Sequence, residues 1–233
     1  MFTSPTALLK TVFINLNMLN DTMRVTEIFH SIQGESTYAG LPCTFVRLTG
    51  CPLRCTWCDS AYTFHGGTEM SLNEVMERVH AYDCRLVEVT GGEPLHQPEA
   101  FSLIQRLCSE GYSVLVETSG ALDVSPLDPR AHIILDVKCP GSGMMDRMDW
   151  KNLDRLTAKD EVKFVLKDRV DYEWACSILA QYDLTHRCAI LFSPVFGELD
   201  LRQLAEWILA DKLAVRFQMQ MHKYIWHPSM RGV

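Results

Sequence analysis

The sequence predicts an α/β protein whose strands form a partial (β/α)6-type, TIM-like barrel. Its strand-like runs are mostly continuous apolar stretches, which is typical of parallel strands covered on both faces. Helical segments separate these runs, and alternation of strand and helix predicts a parallel sheet. A complete eightfold barrel usually takes about 250 residues or more. Roughly six or seven units in a chain of 233 residues therefore predict an incomplete barrel, open on one side.

The predicted strands recur along the chain from Met23 onward. The first begins there and includes residues 24–29. Further runs rich in β-branched and aliphatic residues follow at residues 43–48, 85–90, 112–117, 132–137, 161–166, 188–192 and 214–219. Polar or glycine-rich segments follow several of these strands, and in such barrels chemistry gathers at the carboxyl ends of the strands. We therefore expect the functional site at that mouth of the barrel.

Residues typical of the starts and ends of helices lie between the predicted strands. Ser71 and Glu74 form a capping box at the start of a helix with apolar residues along one face. A second helix begins near Pro98, a residue suited to the first helical position, and ends near Gly111. Two more segments of similar pattern are residues 171–181 and 201–210. The apolar stripes of these helices are expected to form the core.

The chain is predicted to be one domain with an N-terminal extension. Residues 1–22 carry one lysine and no arginine, and they lack a small-residue cleavage site. We expect this segment to be disordered and Met23 to be the natural start. Residues 23–233 are expected to form a single partial-barrel domain.

Net charge and hydropathy argue against two classes of binding partner, nucleic acids and membranes. The net charge is −7 and no basic run occurs, which argues against a nucleic-acid groove. No apolar stretch approaches the roughly twenty residues needed to cross a bilayer. We expect a cytoplasmic protein that acts on a small molecule, without a nucleic-acid or membrane partner.

Three cysteines in one short loop carry the strongest chemical signal. Cys51, Cys55 and Cys58 have the spacing C-x3-C-x2-C, which lets one loop wrap three thiolates around a single inorganic centre. A 4Fe-4S cube usually takes four cysteine ligands. Three ligands would leave one iron open to a small molecule, as a catalytic metal site keeps a free position. The spacing therefore predicts a cluster with one open iron.

Two other interpretations of the cysteines remain open. Cys55 and Cys58 resemble half of a zinc site that Cys43 or Cys51 could complete, although no second C-x2-C pair exists. A disulfide scaffold is disfavoured by the odd number of nine cysteines and by the length of the chain. The cysteines outside the loop mostly lie in apolar runs and are expected to behave as small hydrophobic core residues.

The predicted mouth contains residues suited to a ligand of the open iron. Gly91 and Gly92 remove side chains where backbone must approach a ligand, and Glu93 could accept a hydrogen bond from an ammonium group. Ser119 and Lys138 could hold a ribose or a carboxylate. The simpler alternatives are a tight turn at the glycines and a solvated surface lysine.

Arg47 and the pair Asp59-Ser60 are further candidates. Arg47 lies inside an apolar run, where a charge is costly unless paired. Its guanidinium could bind an anion through two hydrogen bonds, or form a salt bridge with Glu27 or Glu35. Asp59 and Ser60 could place oxygens near a hard cation such as magnesium, or cap a helix.

With these residues placed, the sequence resembles enzymes of the radical S-adenosylmethionine (SAM) superfamily. The cysteine spacing is the cluster motif of that superfamily, and Gly91-Gly92-Glu93-Pro94 is similar to its motif for the methionine amine. More narrowly, the chain resembles the 7-carboxy-7-deazaguanine synthase family over about residues 23–233. The segments that carry this narrower resemblance are residues 27–35, 45–51, 57–60, 89–94, 116–120 and 221–224, with the ending 231–233.

The resemblance implies a set of site residues. The cluster ligands would be Cys51, Cys55 and Cys58. SAM would contact Trp57, Cys58, Asp59, Gly92, Asp136, Val137 and Lys138, with Ser193 and Pro194 adding to that site. The pterin substrate would be bound by Ile32, Gln33, Gly34, Arg47 and Thr90, and Ser60 would ligate a Mg²⁺ ion that bridges to it. No side chain is assigned as catalytic, because the radical derived from SAM would carry the chemistry.

The resemblance also implies an activity. The enzyme would convert 6-carboxy-5,6,7,8-tetrahydropterin to 7-carboxy-7-deazaguanine with loss of ammonia, in queuosine and 7-deazapurine biosynthesis. It would act as a homodimer, with a transient electron donor such as flavodoxin. The alternative is an activase that generates a glycyl radical on a protein partner, which would share the cysteine loop but not need Gln33 or Arg47. One departure concerns the segment Asp136-Val137-Lys138, where family members commonly have Ser-Pro-Lys.

Overall fold

The computed structural model describes residues 22–233, which form one nine-stranded sheet and the helices packed on it. The predicted extension therefore lies outside the described residues, except for Thr22. The strands are β1 (Thr22–Ile32), β2 (Pro42–Leu48), β3 (Thr68–Ser71), β4 (Leu86–Gly91), β5 (Ser113–Thr118), β6 (His132–Val137), β7 (Glu161–Leu166), β8 (Ala189–Pro194) and β9 (Arg216–Phe217). The predicted strands are all present, and the short edge strand β3 is additional.

The sheet is mostly parallel, as predicted. Its order is β3-β1-β2-β4-β5-β6-β7-β8-β9, and every neighbouring pair from β2 to β9 is parallel. The expectation of parallel strands is wrong for β1, which runs antiparallel to both β2 and β3. Only residues 33–41 connect β1 to β2, and a parallel crossover needs a dozen or more residues.

Five α-helices accompany the sheet among the described residues. They are α1 (Leu72–His80), α2 (Glu99–Ser109), α3 (Arg169–Tyr182), α4 (Leu201–Ala210) and α5 (His222–Ile225). The predicted capping box is present at α1, where Ser71 Oγ accepts from the Glu74 amide and Glu74 Oε2 accepts from the Ser71 amide. No α-helix follows β5 or β6. Pro126 and Pro129 interrupt the first of these connections, and proline breaks helices.

The two faces of the sheet have different roles. Along β4, Val87 and Val89 point into the outer hydrophobic core beneath the helices. Glu88 and Thr90 alternate with them and line the inside of the barrel. A smaller apolar cluster that includes Phe29 fills the bottom of the barrel. The charged inner residues thus lie above an apolar floor, near the carboxyl ends of the strands.

The open side of the barrel is closed by the chain itself. The loop after β1 meets the segment after β9, where the Ser36 amide donates to Gln218 Oε1 at 2.9 Å and Gln218 Nε2 donates to Ser36 O at 2.8 Å. The Met221 amide donates to Gly34 O at 3.0 Å. Within residues 22–233, no helix is long and apolar enough to span a membrane.

Candidate active site

One large cavity, of about 780 Å³, occupies the predicted mouth of the barrel. It is lined by nearly all of the predicted site residues: Ile32, Gln33, Gly34, Arg47, Cys51, Cys55, Trp57, Cys58, Asp59, Ser60, Thr90, Gly92, Asp136 and Lys138. The fold therefore brings together segments that are far apart in sequence. Four predicted residues do not line the cavity, and one of them, Glu93, is described below. The side chain of Val137 lies in the outer core, and Ser193 and Pro194 are buried in β8 while Val195 lines the cavity instead.

The three loop cysteines share one wall of this cavity. The loop is held by its own backbone, since the Cys58 amide donates to Cys55 O at 3.3 Å and the Leu53 amide points at Cys51 Sγ at 3.4 Å. Burial raises the pKa of the Cys51 and Cys55 thiols, and the Lys138 ammonium acts in the opposite direction. Ligation therefore has to be coupled to loss of the thiol protons.

The loop presents three cysteine thiols to the cavity. Among the described residues, no three His, Cys, Asp or Glu side chains are placed to hold one metal ion. In a cube the three thiolates bind different irons and need not converge on one point. Cys43, which the zinc interpretation could require, is fully buried in the apolar floor. The donor set thus fits a three-cysteine cluster and disfavours a four-cysteine zinc site.

The Gly91-Gly92-Glu93 turn packs directly behind the cysteine loop. A Cβ atom on Gly92 would lie 2.5 Å from Gly50 O and 2.8 Å from the Cβ of Cys51, so only glycine allows this approach. The Glu93 amide donates to Gly50 O at 2.9 Å. The two segments therefore form one wall.

The expectation that Glu93 accepts an ammonium group is wrong. Its carboxylate is fully buried and accepts hydrogen bonds from the Thr118 hydroxyl, the Ser119 amide and hydroxyl, and the Leu95 amide. Because these protein donors already satisfy both oxygens, Glu93 joins the turn after β4 to the end of β5 and has a structural role.

Arg47 also lines the cavity and forms one of the predicted salt bridges. Its Nε donates to Glu27 Oε1 at 2.8 Å, and the Tyr62 hydroxyl donates to the same oxygen at 2.8 Å. Residues 27 and 47 are register partners on β1 and β2. The salt bridge uses only one edge of the guanidinium, so the two predicted roles of Arg47 are compatible.

A buried ammonium group organises the lower part of the cavity. Lys163 on β7 has a side chain that is 5% exposed, and its Nζ contacts carboxylates from three different segments. It lies 2.8 Å from Glu35 and 3.8 Å from Asp136, and it forms an ion pair with Glu117. Burial raises the pKa of Glu35, but the charge of Lys163, joined by that of His222 and by side-chain hydrogen bonds, more than offsets burial, and the pKa falls to about 2. Glu35 is therefore ionised at neutral pH.

Glu88 is the exception among the inner carboxyls. It is 3% exposed, and burial together with the charges of Glu117 and Glu35 raises its pKa to about 8. The Gln33 side-chain amide donates to Glu88 and its oxygen accepts from the Glu35 amide at 2.9 Å. Gln33 is thus fixed by protein partners on both sides of its amide.

Lys138 is half-buried and ion-paired rather than freely solvated. Its Nζ lies 2.8 Å from Asp136 Oδ2, and its charge also reaches the Cys55 thiol. The other oxygen of Asp136, Oδ1, is buried without a hydrogen-bond partner among the described residues. This carboxylate oxygen is an acceptor available to a donor within the cavity.

The C-terminal segment completes the cavity. His222 and Lys223 line it, as do residues 227–233. Lys223 Nζ lies 2.6 Å from Asp59 Oδ2, so Asp59 forms an ion pair and does not cap a helix. The Arg231 guanidinium lies 4.1 Å from the centre of the Tyr62 ring, which places the tail next to the Glu27–Arg47 pair.

Comparison with known proteins agrees with this geometry. The profile of the Radical SAM superfamily matches residues 45–179. A protein of Chlorobaculum tepidum named 7-carboxy-7-deazaguanine synthase is 48% identical over 91% of this chain and 97% of its own length. The chain belongs to that family. A synthase of the same name from Koribacter versatilis is 46% identical over 91% of this chain and 100% of its own length.

A solved structure supports the fold. The crystal structure of QueE from Escherichia coli superposes with a TM-score of 0.73 at 23% sequence identity, covering 95% of this chain and 100% of that one. The predicted partial barrel of the radical SAM superfamily is therefore confirmed.

Family membership does not account for every residue that the cavity contains. The sequence-based prediction omitted Lys163 and Glu88, although each is a charged residue inside an apolar strand, the same signal that identified Arg47. It also gave Gln220 no role. No local pattern marks that residue, because the two carboxylates that it bridges, Glu35 and Asp59, lie on loops more than 150 positions earlier in the chain.

Proposed function

We propose that this chain converts 6-carboxy-5,6,7,8-tetrahydropterin to 7-carboxy-7-deazaguanine with loss of ammonia, in queuosine and related 7-deazapurine biosynthesis. The observation that supports this most directly is one cavity that is lined both by the three cysteines and by a set of charged side chains. A cofactor and a small polar substrate could meet in such a space.

The cofactor side consists of the cysteine loop and the residues around it. Cys51, Cys55 and Cys58 would hold a 4Fe-4S cluster, and when bound the cluster and SAM supply the radical that starts the reaction. SAM would contact Trp57, Cys58, Asp59, Gly92, Asp136 and Lys138. Any contact from Val137 would come from its backbone, because its side chain faces the outer core. Ser193 and Pro194 would contribute only if β8 shifted toward the cavity.

The substrate side consists of the first two strands and β4. Ile32, Gln33, Gly34, Arg47 and Thr90 would bind the pterin. Arg47 would provide the free edge of its guanidinium to the substrate carboxylate. Protein partners occupy the side chain and backbone of Gln33 as well as Gly34 O, so the backbone amide of Gly34 is the main polar group that these two residues would offer to the pterin.

Ser60 would supply a hydroxyl ligand to a Mg²⁺ ion. Mg²⁺ commonly keeps several waters and takes few protein ligands together with substrate oxygens. A single protein hydroxyl could therefore bind the ion if the substrate carboxylate and water supply the other ligands. Ser60 lines the cavity, and its Oγ lies 3.8 Å from Cys58 Sγ. The ion would hold the substrate carboxylate in place.

The cavity also suits a controlled radical reaction. Residues of the first two strands and of the C-terminal tail line it, so the charged lumen would orient the substrate while the tail limits access of water and other hydrogen donors. We further propose a homodimer, a transient electron donor such as flavodoxin and a cytoplasmic location.

One assay separates this function from its rival. Anaerobically prepared protein would be mixed with SAM, Mg²⁺, a reductant and the carboxypterin, with no other protein, and products identified by liquid chromatography and mass spectrometry. We expect 7-carboxy-7-deazaguanine and ammonia. Absence of this product, with radical formation only when a protein substrate is added, would favour a glycyl-radical activase and refute the proposal.

A further inference from the structure

The segment that closes the open side of the barrel also contacts both halves of the cavity. Gln218 and Met221 attach it to the loop after β1, as described above. Between them, Gln220 points into the cavity and Lys223 follows on α5. This segment is therefore in a position to connect the cofactor side with the substrate side.

Gln220 makes that connection with its side-chain amide. Its Nε2 donates to Glu35 Oε1 at 3.0 Å and to Asp59 Oδ2 at 3.1 Å. Its Oε1 accepts from Lys223 Nζ at 2.6 Å, and the same ammonium contacts Asp59 Oδ2 at 2.6 Å. Both amide hydrogens and the amide oxygen are thus used.

The orientation of this amide is determined by its neighbours. The NH₂ group faces two carboxylates and the oxygen faces an ammonium. A flipped amide would place its oxygen against the carboxylates and its NH₂ group against the ammonium, where neither could form a hydrogen bond. The two hydrogens lie in one rigid plane. A displacement of either carboxylate therefore turns the amide away from the other.

The two bridged carboxylates belong to different parts of the site. Asp59 lies between Cys58 and Ser60 on the cofactor side. Glu35 follows the Gln33-Gly34 segment on the substrate side and is held from below by Lys163 at 2.8 Å. The chain of contacts from Asp59 through Gln220 and Glu35 to Lys163 is continuous.

We infer that Gln220 is a positioning residue that couples SAM binding to pterin binding. The inference rests on the proposed function, which assigns Asp59 to SAM and residues 33–34 to the substrate. A ligand that fixes Asp59 also fixes the Gln220 amide and, through it, Glu35. The second ligand then meets side chains that are already ordered, so each ligand strengthens the binding of the other.

Binding measurements without turnover test this coupling. Cluster-loaded protein with no reductant does not consume SAM, so calorimetry under nitrogen can give the Kd of the carboxypterin with and without saturating SAM. In the unmodified protein we expect SAM to lower this Kd by about fivefold or more. The reciprocal titration should give the same factor, because coupling between binding equilibria is symmetric.

Gln220→Met keeps the length of the side chain and removes its hydrogen bonds. We expect each ligand to bind this variant alone, while the coupling factor falls below about twofold. Gln203→Met, on the exposed face of α4, is the matched control and should keep the full factor. If Gln220→Met does not fold, Gln220→Asn retains the amide but withdraws it by one methylene, and should show the same loss.

The outcomes distinguish this inference from the function on which it rests. Unmodified protein that binds both ligands independently, or a Gln220 variant that keeps the full coupling factor, overturns the role of Gln220 and leaves the proposed function standing. Unmodified protein that binds SAM but no carboxypterin overturns both.

Discussion

Arg47 Nε donates to Glu27 Oε1 at 2.8 Å across the antiparallel pair β1–β2. Among the described residues, the two terminal nitrogens of this guanidinium have no hydrogen-bond partner, and Arg47 lines the cavity. The salt bridge therefore orients the arginine while its terminal fork stays available. A carboxylate entering the cavity could accept two parallel hydrogen bonds from it.

Replacement of Arg47 by alanine should weaken substrate binding selectively. Hydrogen bonds to a charged group are worth about 1.5–3 kcal/mol, so the KM for the carboxypterin should rise by roughly ten- to a hundredfold. Calorimetric titration with SAM should show little change, and Arg78→Ala on the exposed face of α1 should alter neither constant. If SAM binding is lost as well, the division of the cavity into two sides is wrong.

Replacement of Cys55 by alanine should abolish cluster assembly, because two remaining thiolates cannot hold the cube. Iron and sulfide would be assayed after anaerobic reconstitution. Cys176→Ala on α3 provides the control, since this cysteine packs against the outer core away from the cavity. Full iron content and activity in Cys55→Ala would refute the ligand assignment.

Lys163→Met should destabilise the fold at neutral pH. It leaves Glu35, Glu117 and Asp136 without their shared cation, and removal of one partner from a buried ion pair costs about 3–5 kcal/mol. Urea unfolding would measure the loss, with Lys151→Met at an exposed position as the control. Equal stability of the two variants would contradict the role assigned to Lys163.

The loss in Lys163→Met should depend on pH. The pKa of Glu35 falls from an ordinary 4.5 to about 2 in the folded protein. Burial acts to raise this pKa, and the charge of Lys163 is the largest of the several effects that lower it. A lowered pKa contributes stability above the unfolded value, and that stability is lost as pH falls through the folded value. The difference in the free energy of unfolding between the variant and the unmodified protein should therefore become smaller as pH falls from about 4.5 toward 2. A constant difference would show that Glu35 is not stabilised by this ammonium.

The site could be predicted only where its signals are local in sequence. The cysteine loop and the Gly91-Gly92 turn are contiguous motifs, and both were found. Arg47 was found because a charge inside an apolar strand has to be explained. The same reasoning applied to Lys163 would have predicted the buried charge network, though not which carboxylates it joins.

Other features depend on how the barrel closes. The contact between Lys223 and Asp59 joins residues 164 positions apart and requires the C-terminal segment to lie across the open side. No periodicity or spacing encodes that contact. The antiparallel pairing of β1 with β2 could have been predicted, because residues 33–41 are too few for the crossover that parallel strands require. The irregular connections after β5 and β6 were likewise signalled by their prolines and glycines.

Glu88→Gln should change how the free energy of unfolding depends on pH. The variant should gain stability relative to the unmodified protein as pH rises. The pKa of Glu88 is raised to about 8, first by burial and then by the charges of Glu117 and Glu35, so the unfolded chain gains an ionised carboxylate between pH 4.5 and 8 that the folded protein lacks. Ionisation therefore favours unfolding progressively over that range. Glutamine keeps an acceptor for Gln33 and cannot ionise. The variant should match the unmodified protein near pH 5 and exceed it by at least about 1 kcal/mol near pH 8, as measured by urea unfolding. Parallel profiles would mean that Glu88 ionises normally.

The central claim is that three cysteines hold a cluster whose remaining iron is open to SAM. Electron paramagnetic resonance of anaerobic, reduced protein, recorded with and without SAM alongside iron and sulfide assays, tests it most directly. We predict about four irons and four sulfides per chain and a cluster signal that changes when SAM is added. Protein that binds only zinc, or a cluster signal indifferent to SAM, would contradict the account.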